Sequence, residues 1–146
     1  MNYNEVEILI VEDNTDDAVL IARVLKNKNI SNNHFHVKDG AEALDFIFCK
    51  GIYAMRTINE KLKLILLDLK MPKVNGFEVL EKVKSNDMTN RIPVVVLTSS
   101  QEPTDIKKCY ELGTNSYIVK PVSFEDFIKS VGDVVLYWVL LNKNNP

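Results

Sequence analysis

Charged and hydroxyl side chains stand at the ends of four of the most apolar runs in the sequence. Glu12 and Asp13 follow ILIV, Asp68 follows LILL, Thr98 ends the run VVVLT, and Lys120 follows SYIV. Burying a carboxylate beside Leu and Ile costs free energy unless a cation or hydrogen bonds compensate it. Carboxylates bind divalent cations, and an ammonium or a hydroxyl binds phosphoryl oxygens, so these residue types suit phosphoryl chemistry.

The elements that would hold these residues alternate along the chain between strands and helices. Short runs of Val, Ile and Leu are typical of strands buried on both faces, and the segments between them repeat apolar residues at helical spacing. The predicted strands are 6–11, 34–38, 62–68, 92–99 and 115–120, and the predicted helices are 14–29, 40–50, 76–85, 103–113 and 123–142. Five such units predict one α/β domain, with a parallel sheet between helices. Ligands bind such sheets at the carboxyl ends of the strands.

Three carboxylates at one sheet edge repel one another, and each raises the pKa of the others. A divalent cation removes this conflict, and a site of oxygen ligands suits Mg²⁺. The ammonium of Lys120 would add positive charge for a phosphoryl group, and a carboxylate can be the nucleophile that accepts it. Each residue alone has an ordinary explanation as a turn acid, a strand former or a surface lysine. Their joint position at strand ends indicates a functional site, with Asp68 as the reacting group.

Five motifs together resemble the receiver domain of two-component response regulators. They are ILIVEDN, DGAEAL, LLDLKMPKVNG, VVVLTSS and SYIVKPVS, and the resemblance covers about residues 5–132. It implies a flavodoxin-like (βα)5 fold with strand order 2-1-3-4-5. We expect a receiver domain over 5–142 with an extended C-terminal helix, followed by a disordered tail over 143–146.

The resemblance also implies a role for each acid. Asp68 looks like the phosphoacceptor, which takes its phosphoryl group from a histidine of a sensor kinase. Glu12, Asp13, Asp68 and the backbone carbonyl of Lys70 would hold Mg²⁺. Family members often carry Asp at the first acidic position, so the contact of Glu12 with the metal is direct or through a water. The side chain of Lys70 lies near the phosphoryl group in the family and would change its hydrolysis rate.

Switch residues follow from the same resemblance. Thr98 looks like the hydroxyl that moves to the phosphoryl oxygen, and Tyr117 like the aromatic partner that turns into the space it leaves. Lys120 would pair with the phosphoryl group, and its bond to Pro121 is expected to be cis. Two plainer explanations stay open, because Tyr117 can be a half-buried strand aromatic and Ser99 can matter only for being small.

Bulk properties exclude several other classes of protein. The net charge of −2 gives no basic stripe for nucleic acid, and the longest apolar run, 134–141, is too short to span a membrane. The N-terminus has no basic region of a signal peptide, so we expect a cytoplasmic protein. Cys49 and Cys109, each predicted to lie in a helix, match no metal or redox spacing. Because the sequence ends at 146, we expect a stand-alone regulator that acts on an unknown downstream protein by contact.

The predicted last helix carries apolar residues on two faces. Phe127, Val131, Val134 or Val135 and Trp138 can form the stripe that packs on the sheet. The apolar residues outside this stripe predict a homodimer, formed through Leu136, Tyr137, Trp138 and Leu140. The alternative is a helix end that packs under a neighbouring loop. This tail and the long 51–61 connection are similar to the small regulators paired with bacterial phytochromes, which would make such a phytochrome the kinase.

Two rival functions are weighed against this interpretation. An aspartate-based phosphohydrolase enzyme would want a second Asp two residues after the nucleophile, where this sequence has Lys70. A flavodoxin-like cofactor binder would want a phosphate loop rich in Gly, Ser and Thr after the first strand, and EDNTDD there is acidic. Both features favour a phosphoacceptor that is not an enzyme.

Overall fold

The structure, a computed structural model, describes residues 2–30, 32–57 and 61–143. Its centre is a five-stranded parallel sheet in the order β2-β1-β3-β4-β5, which confirms the predicted fold class. The strands are β1 (Ile8–Val11), β2 (His34–Val37), β3 (Leu64–Leu67), β4 (Val94–Thr98) and β5 (Ser116–Val119). The helices are α1 (Thr15–Asn27), α2 (Gly40–Ile47), α3 (Gly76–Ser85), α4 (Pro103–Leu112) and α5 (Phe124–Leu136).

Two apolar layers cover the faces of the sheet. The strands β1, β3 and β4 are buried along their whole length, which is why they are apolar without alternation. Successive residues nevertheless point to opposite faces, as in any strand. Ile8 and Ile10 join the core beneath α1 and α5, whereas Leu9 and Val11 join the core beneath α2 and α3.

Strand register brings the polar residues to one edge. Val11 pairs with Leu67, and Leu67 pairs with Val96, so β1 and β3 end at the same level. Val119 pairs with Thr98, so β5 ends about two residues further along the same edge. Helices begin soon after these ends because side chains cap them. Asn14 accepts a hydrogen bond from the Asp17 amide at the start of α1, and α2, α3 and α5 start with Asp39, Asn75 and Ser123 in the same role.

The end of the predicted last helix differs from a regular α-helix. α5 ends at Leu136 and continues as a π-helical turn over Tyr137–Leu141, so the expected helix over 123–142 is correct in extent but not in winding. Phe127, Val131 and Val135 form the buried stripe, and Trp138 packs partly buried against the same core. Trp138 therefore continues the apolar stripe that the sequence predicts for this helix.

Two further expectations need correction. α2 ends at Ile47 rather than at residue 50, because Cys49 and Gly51 adopt left-handed backbone with φ of 56° and a helix cannot continue through them. Cys49 therefore lies in a loop.

No described helix is long and apolar enough to cross a membrane. Of the predicted tail over 143–146, residues 144–146 lie outside the described residues, as do residues 58–60 of the long connection.

Candidate functional site

Asp68 stands at the carboxyl end of β3 and is almost buried. Its amide donates to the carbonyl of Val11 at 3.0 Å, which extends the β1–β3 ladder to the site itself. The loop after Asp68 returns close to it, since a Cβ on Gly76 would lie 2.3 Å from the Asp68 carbonyl oxygen. Glycine is required at this close approach, and it lets α3 start beside the strand end.

Three acids meet at this edge. One carboxylate oxygen each of Glu12, Asp13 and Asp68 lies within 4.8 Å of the others. Asp13 is exposed, whereas Glu12 is only 2% exposed. Oxygen atoms at this spacing suit a divalent cation, with the exposed side left for water. Lys70 is exposed and lies two residues after Asp68, and the place of its backbone carbonyl as a ligand stays a prediction.

Lys120 brings one positive charge into the acids. Its Nζ lies 2.6 Å from Glu12 Oε1, 2.8 Å from Asp17 Oδ2 and 3.5 Å from Asp68 Oδ2, and its side chain is 13% exposed. Burial by itself lowers the pKa of Lys120, but the hydrogen bonds with Asp17 and Glu12 outweigh it and leave the pKa raised. The ammonium is therefore charged at neutral pH.

Glu12 has the most perturbed carboxyl group of the site. Burial raises its pKa to about 8, and the neighbouring carboxyl of Asp68 adds to the rise, whereas Lys120 opposes it. Its other oxygen accepts from the Asn14 amide at 3.2 Å, and its backbone carbonyl lies 2.6 Å from Nε2 of His36. A cation at the acidic cluster would favour the ionised form of this carboxyl.

Asp17 is a site residue that the sequence interpretation missed. By its sequence position Asp17 is an ordinary acid at the start of a helix, but its side chain reaches Lys120. The available signal was its spacing, because a residue four positions after Asp13 in the first turn of α1 can face the end of β1. Spacing alone does not show which side chain Asp17 contacts, because Lys120 lies 103 positions later in the sequence.

The hydroxyl and the aromatic residue meet at the loop after β4. Thr98 is fully buried, and its Oγ1 accepts from the Ser100 amide at 3.4 Å. Tyr117 is half-buried, and its hydroxyl donates to the Ser100 carbonyl at 3.0 Å. Burial raises the pKa of Tyr117. The Ser100 hydroxyl donates in turn to Asp105 of α4 at 2.6 Å, so this loop connects both residues to a helix.

The Lys120–Pro121 bond does not have the expected geometry. It is trans, like every other peptide bond between the described residues. The ammonium is held by its carboxylate partners in this arrangement. Ser99 is exposed in the loop after β4, and its proposed role as a small residue stays a prediction.

The predicted dimer residues do not all face outward. Tyr137 and Leu140 are 49% and 59% exposed, and Leu136 is also exposed. Trp138 is instead partly buried against the core beneath α1 and α5, with the Tyr137 ring perpendicular to it at 5.1 Å. Trp138 therefore lies on the sheet-facing stripe in the single chain, and its place in a dimer interface stays a prediction. Leu136, Tyr137 and Leu140 form the exposed apolar tail.

Comparison with known proteins identifies the family. Residues 8–132 match the response regulator receiver domain. The chain belongs to this family. This receiver shares its fold and its family with response regulators of two-component signalling, and no comparison favours a phosphohydrolase or a flavodoxin-like binder.

Similar proteins extend over nearly the whole receiver. Response regulator Rcp1 of Synechocystis is 39% identical over 132 residues, which is 90% of this chain and 88% of Rcp1. The crystal structure of Mn²⁺-bound Rcp1 has a TM-score of 0.88 and 36% identity, and covers 97% of this chain and 99% of that one. The phosphorylated cyanobacterial phytochrome response regulator RcpA has a TM-score of 0.89 and 35% identity with the same coverage. Bacteriophytochrome response regulator RtBRR is 45% identical, with a TM-score of 0.76 and coverage of 97% and 84%.

Proposed function

We propose that Asp68 accepts the phosphoryl group in a Mg²⁺-dependent reaction. The P–N bond of a phosphohistidine on a sensor kinase breaks, and a P–O bond to the Asp68 carboxylate forms. The observation that carries this proposal is the position of Asp68, whose carboxylate joins two other acids within 4.8 Å and lies 3.5 Å from a buried ammonium. The receiver would span residues 5–142 and act without a catalytic activity of its own.

The acids would hold the cation. Glu12, Asp13, Asp68 and the backbone carbonyl of Lys70 are the proposed ligands, and Mg²⁺ would supply positive charge for the phosphoryl oxygens. Asp68 can approach the phosphorus only if its own charge and that of Glu12 do not repel the incoming group. The ammonium of Lys120, already beside both carboxylates, would contribute to this neutralisation from the opposite side.

Thr98 and Tyr117 would convert the modification into a surface change. Their hydrogen bonds already share Ser100, so a movement of the Thr98 hydroxyl toward a phosphoryl oxygen removes a bond from the residue that also holds Tyr117. The surface formed by α4, β5 and α5 would then bind its downstream partner differently.

The kinase partner is proposed by similarity. RcpA is described as a phytochrome response regulator and RtBRR as a bacteriophytochrome response regulator, so a sensor histidine kinase of the phytochrome type is the first candidate for the phosphodonor. The phosphotransfer would take place in the cytoplasm. The exposed tail residues Leu136, Tyr137 and Leu140 support a homodimer, because one apolar patch meeting its own copy buries all three.

Intact-mass analysis with Mg²⁺ and acetyl phosphate tests the phosphoacceptor. The wild type should gain one phosphoryl mass, and Asp68→Asn should gain none, because an amide is a poor nucleophile. Asp87→Asn is the control, as Asp87 is an exposed acid after α3. Labelling of Asp68→Asn at the wild-type rate would contradict the proposal. Omission of Mg²⁺ should slow labelling of the wild type.

The switch is tested separately from the chemistry. Thr98→Ala should still be labelled at Asp68, but hydrogen exchange in α4 and β5 should no longer change on phosphorylation. Thr104→Ala, an exposed position in α4, should behave like the wild type. A phosphorylation-dependent change that persists in Thr98→Ala would remove the switch role.

Sedimentation at micromolar concentration tests the dimer, with and without phosphodonor. The combination Leu136→Lys, Tyr137→Lys and Leu140→Lys should give a monomer, whereas Val122→Lys, at an exposed apolar position outside the tail, should not. A wild type that is monomeric in both states would support the tucked helix end instead. Phosphotransfer from purified sensor kinases, with phytochromes among them, tests the partner.

A further inference from the structure

Asp17 lies beside the site without belonging to the cluster of three acids that suits a cation. It stands in the first turn of α1, where its amide donates to Asn14 Oδ1 at 3.0 Å and fixes its backbone. Its side chain is 27% exposed and reaches inward to Lys120. Its position is therefore determined by the helix cap on one side and by the ammonium on the other.

The ammonium of Lys120 is shared unequally among its carboxylates. An ammonium has three protons to donate, and N–H···O contacts are strongest between about 2.7 and 3.2 Å. The Nζ of Lys120 is in close contact with Glu12 at 2.6 Å and with Asp17 at 2.8 Å, whereas its distance to Asp68 is 3.5 Å. Lys120 thus lies towards α1, away from the residue that is to carry the phosphoryl group.

We propose that Asp17 is a positioning residue that holds Lys120 in the unphosphorylated protein and competes with the phosphoryl group on Asp68 for the ammonium. This inference rests on the proposed function of Asp68. A phosphoryl group presents several anionic oxygens at that position, and Lys120 must leave or loosen its contact with Asp17 to pair with them. Asp17 therefore opposes the phosphorylated state.

Glu12 does not fill the same role. Its carboxylate belongs to the acidic cluster, where a bound cation takes up its negative charge and weakens its hold on Lys120. Asp17 is not part of that cluster, so a cation bound there would not take up the Asp17 carboxylate. It is the carboxylate against which the phosphoryl group competes.

The neighbouring Asp16 provides a matched control. It lies in the same first turn of α1 and contributes the same charge to the helix start, but it is exposed, and the carboxylates paired with Lys120 are those of Glu12, Asp17 and Asp68. Asp16→Asn therefore measures the effect of removing a negative charge beside an anionic ligand. Any effect of Asp17→Asn beyond it belongs to the contact with Lys120.

Beryllofluoride, which imitates a phosphoryl group on a carboxylate, measures the competition at saturating Mg²⁺. We expect Asp17→Asn to bind it about three- to tenfold more tightly than Asp16→Asn, and Asp17→Glu to return the affinity towards the wild-type value. The ¹⁹F spectrum identifies the bound form, and Asp68→Asn should not bind. A gain in affinity separates competition from structural damage, which would weaken binding and lower the melting temperature.

The possible results distinguish the competing role of Asp17 from the proposal that Asp68 is the phosphoacceptor. Equal affinities in Asp17→Asn and Asp16→Asn, or weaker binding by Asp17→Asn, would overturn the competing role of Asp17 while leaving Asp68 as the acceptor. Weaker binding with an unchanged melting temperature would mean that Asp17 directs Lys120 towards the phosphoryl group. A wild type that does not bind beryllofluoride would overturn the proposed function and this inference with it.

Discussion

The two ends of the sheet bury charge in opposite ways. At the carboxyl ends of the strands, Glu12, Asp17 and Asp68 surround the single ammonium of Lys120, with Asp13 beside them. Negative charge exceeds positive charge there, and burial makes each unit of excess more costly. Without a ligand this end stores repulsion. A bound cation relieves it, so the instability is part of how the site binds.

Aromatic rings and backbone oxygens surround the charge near the amino end. Arg56 donates to the carbonyl of Tyr3 at 3.3 Å and to that of Phe46, and its guanidinium lies 3.9 Å above the Phe46 ring. Tyr53 and Phe35 pack around these groups with ring centroids 5.1 to 6.0 Å apart. Neutral oxygens and a ring face thus contribute to compensating this cation. Packing at the amino end stabilises the fold, and the fold keeps the carboxylates at the carboxyl end close together despite their repulsion.

The largest expected effect removes the centre of the aromatic group. Phe46→Ala should lower the free energy of unfolding by ~3–5 kcal/mol, because it leaves a cavity and takes the ring from beneath Arg56. Urea denaturation measures the change. Phe124→Ala, the same change at an exposed position, should have little effect. If folded Phe46→Ala at low temperature is labelled by acetyl phosphate unlike the wild type, the two ends are not independent.

The fold was predictable because each unit carries its own local signal. Continuous apolar runs indicated the buried strands, and apolar residues at helical spacing indicated the helices between them. The edge at which Glu12 and Asp68 meet followed from the rule that parallel strands end together. The functional roles assigned to these residues stay predictions, because position alone does not show reactivity.

Contacts between distant parts of the chain were not predictable in the same way. The bond between Asp17 and Lys120 joins residues 103 positions apart, and only the packed fold shows that their side chains reach each other. The π turn after Leu136 was not predictable either, because the helical spacing read from the sequence assumes regular α-helical winding. Nothing in the sequence predicts the left-handed backbone of Cys49, because cysteine rarely adopts a positive φ.

A pH series tests the strain at the carboxyl end. The pKa of Glu12 is raised from 4.5 to about 8 by burial, so the folded protein holds a proton there that the unfolded chain releases above about pH 4.5. Stability from this group is fully present below that pH and is lost as the pH rises through about 8. Metal-free wild type should therefore lose ~3–4 kcal/mol between pH 5 and 8 relative to Glu12→Gln.

Mg²⁺ supplies the control for the pH series. A cation bound to the acids favours ionised Glu12, so saturating Mg²⁺ should flatten the difference between the wild type and Glu12→Gln. Parallel pH profiles of the two proteins without metal would show that the carboxyl of Glu12 ionises normally. The carboxyl end would then carry no more strain than the amino end.

The smallest expected effect concerns Asp13, the exposed acid of the cluster. Asp13→Asn removes one of three carboxylates within 4.8 Å, and the metal-free protein should gain stability, but only by ~0.5 kcal/mol because solvent screens an exposed charge. Binding of Mg²⁺ should weaken sharply in the same variant, since a ligand is lost. Asp87→Asn, an exposed acid away from the site, should change neither quantity. Thermal unfolding with and without Mg²⁺ measures both. An Asp13→Asn variant that melts lower and binds Mg²⁺ normally would make Asp13 a helix-start residue, and the repulsion would then lie in Glu12 and Asp68 alone.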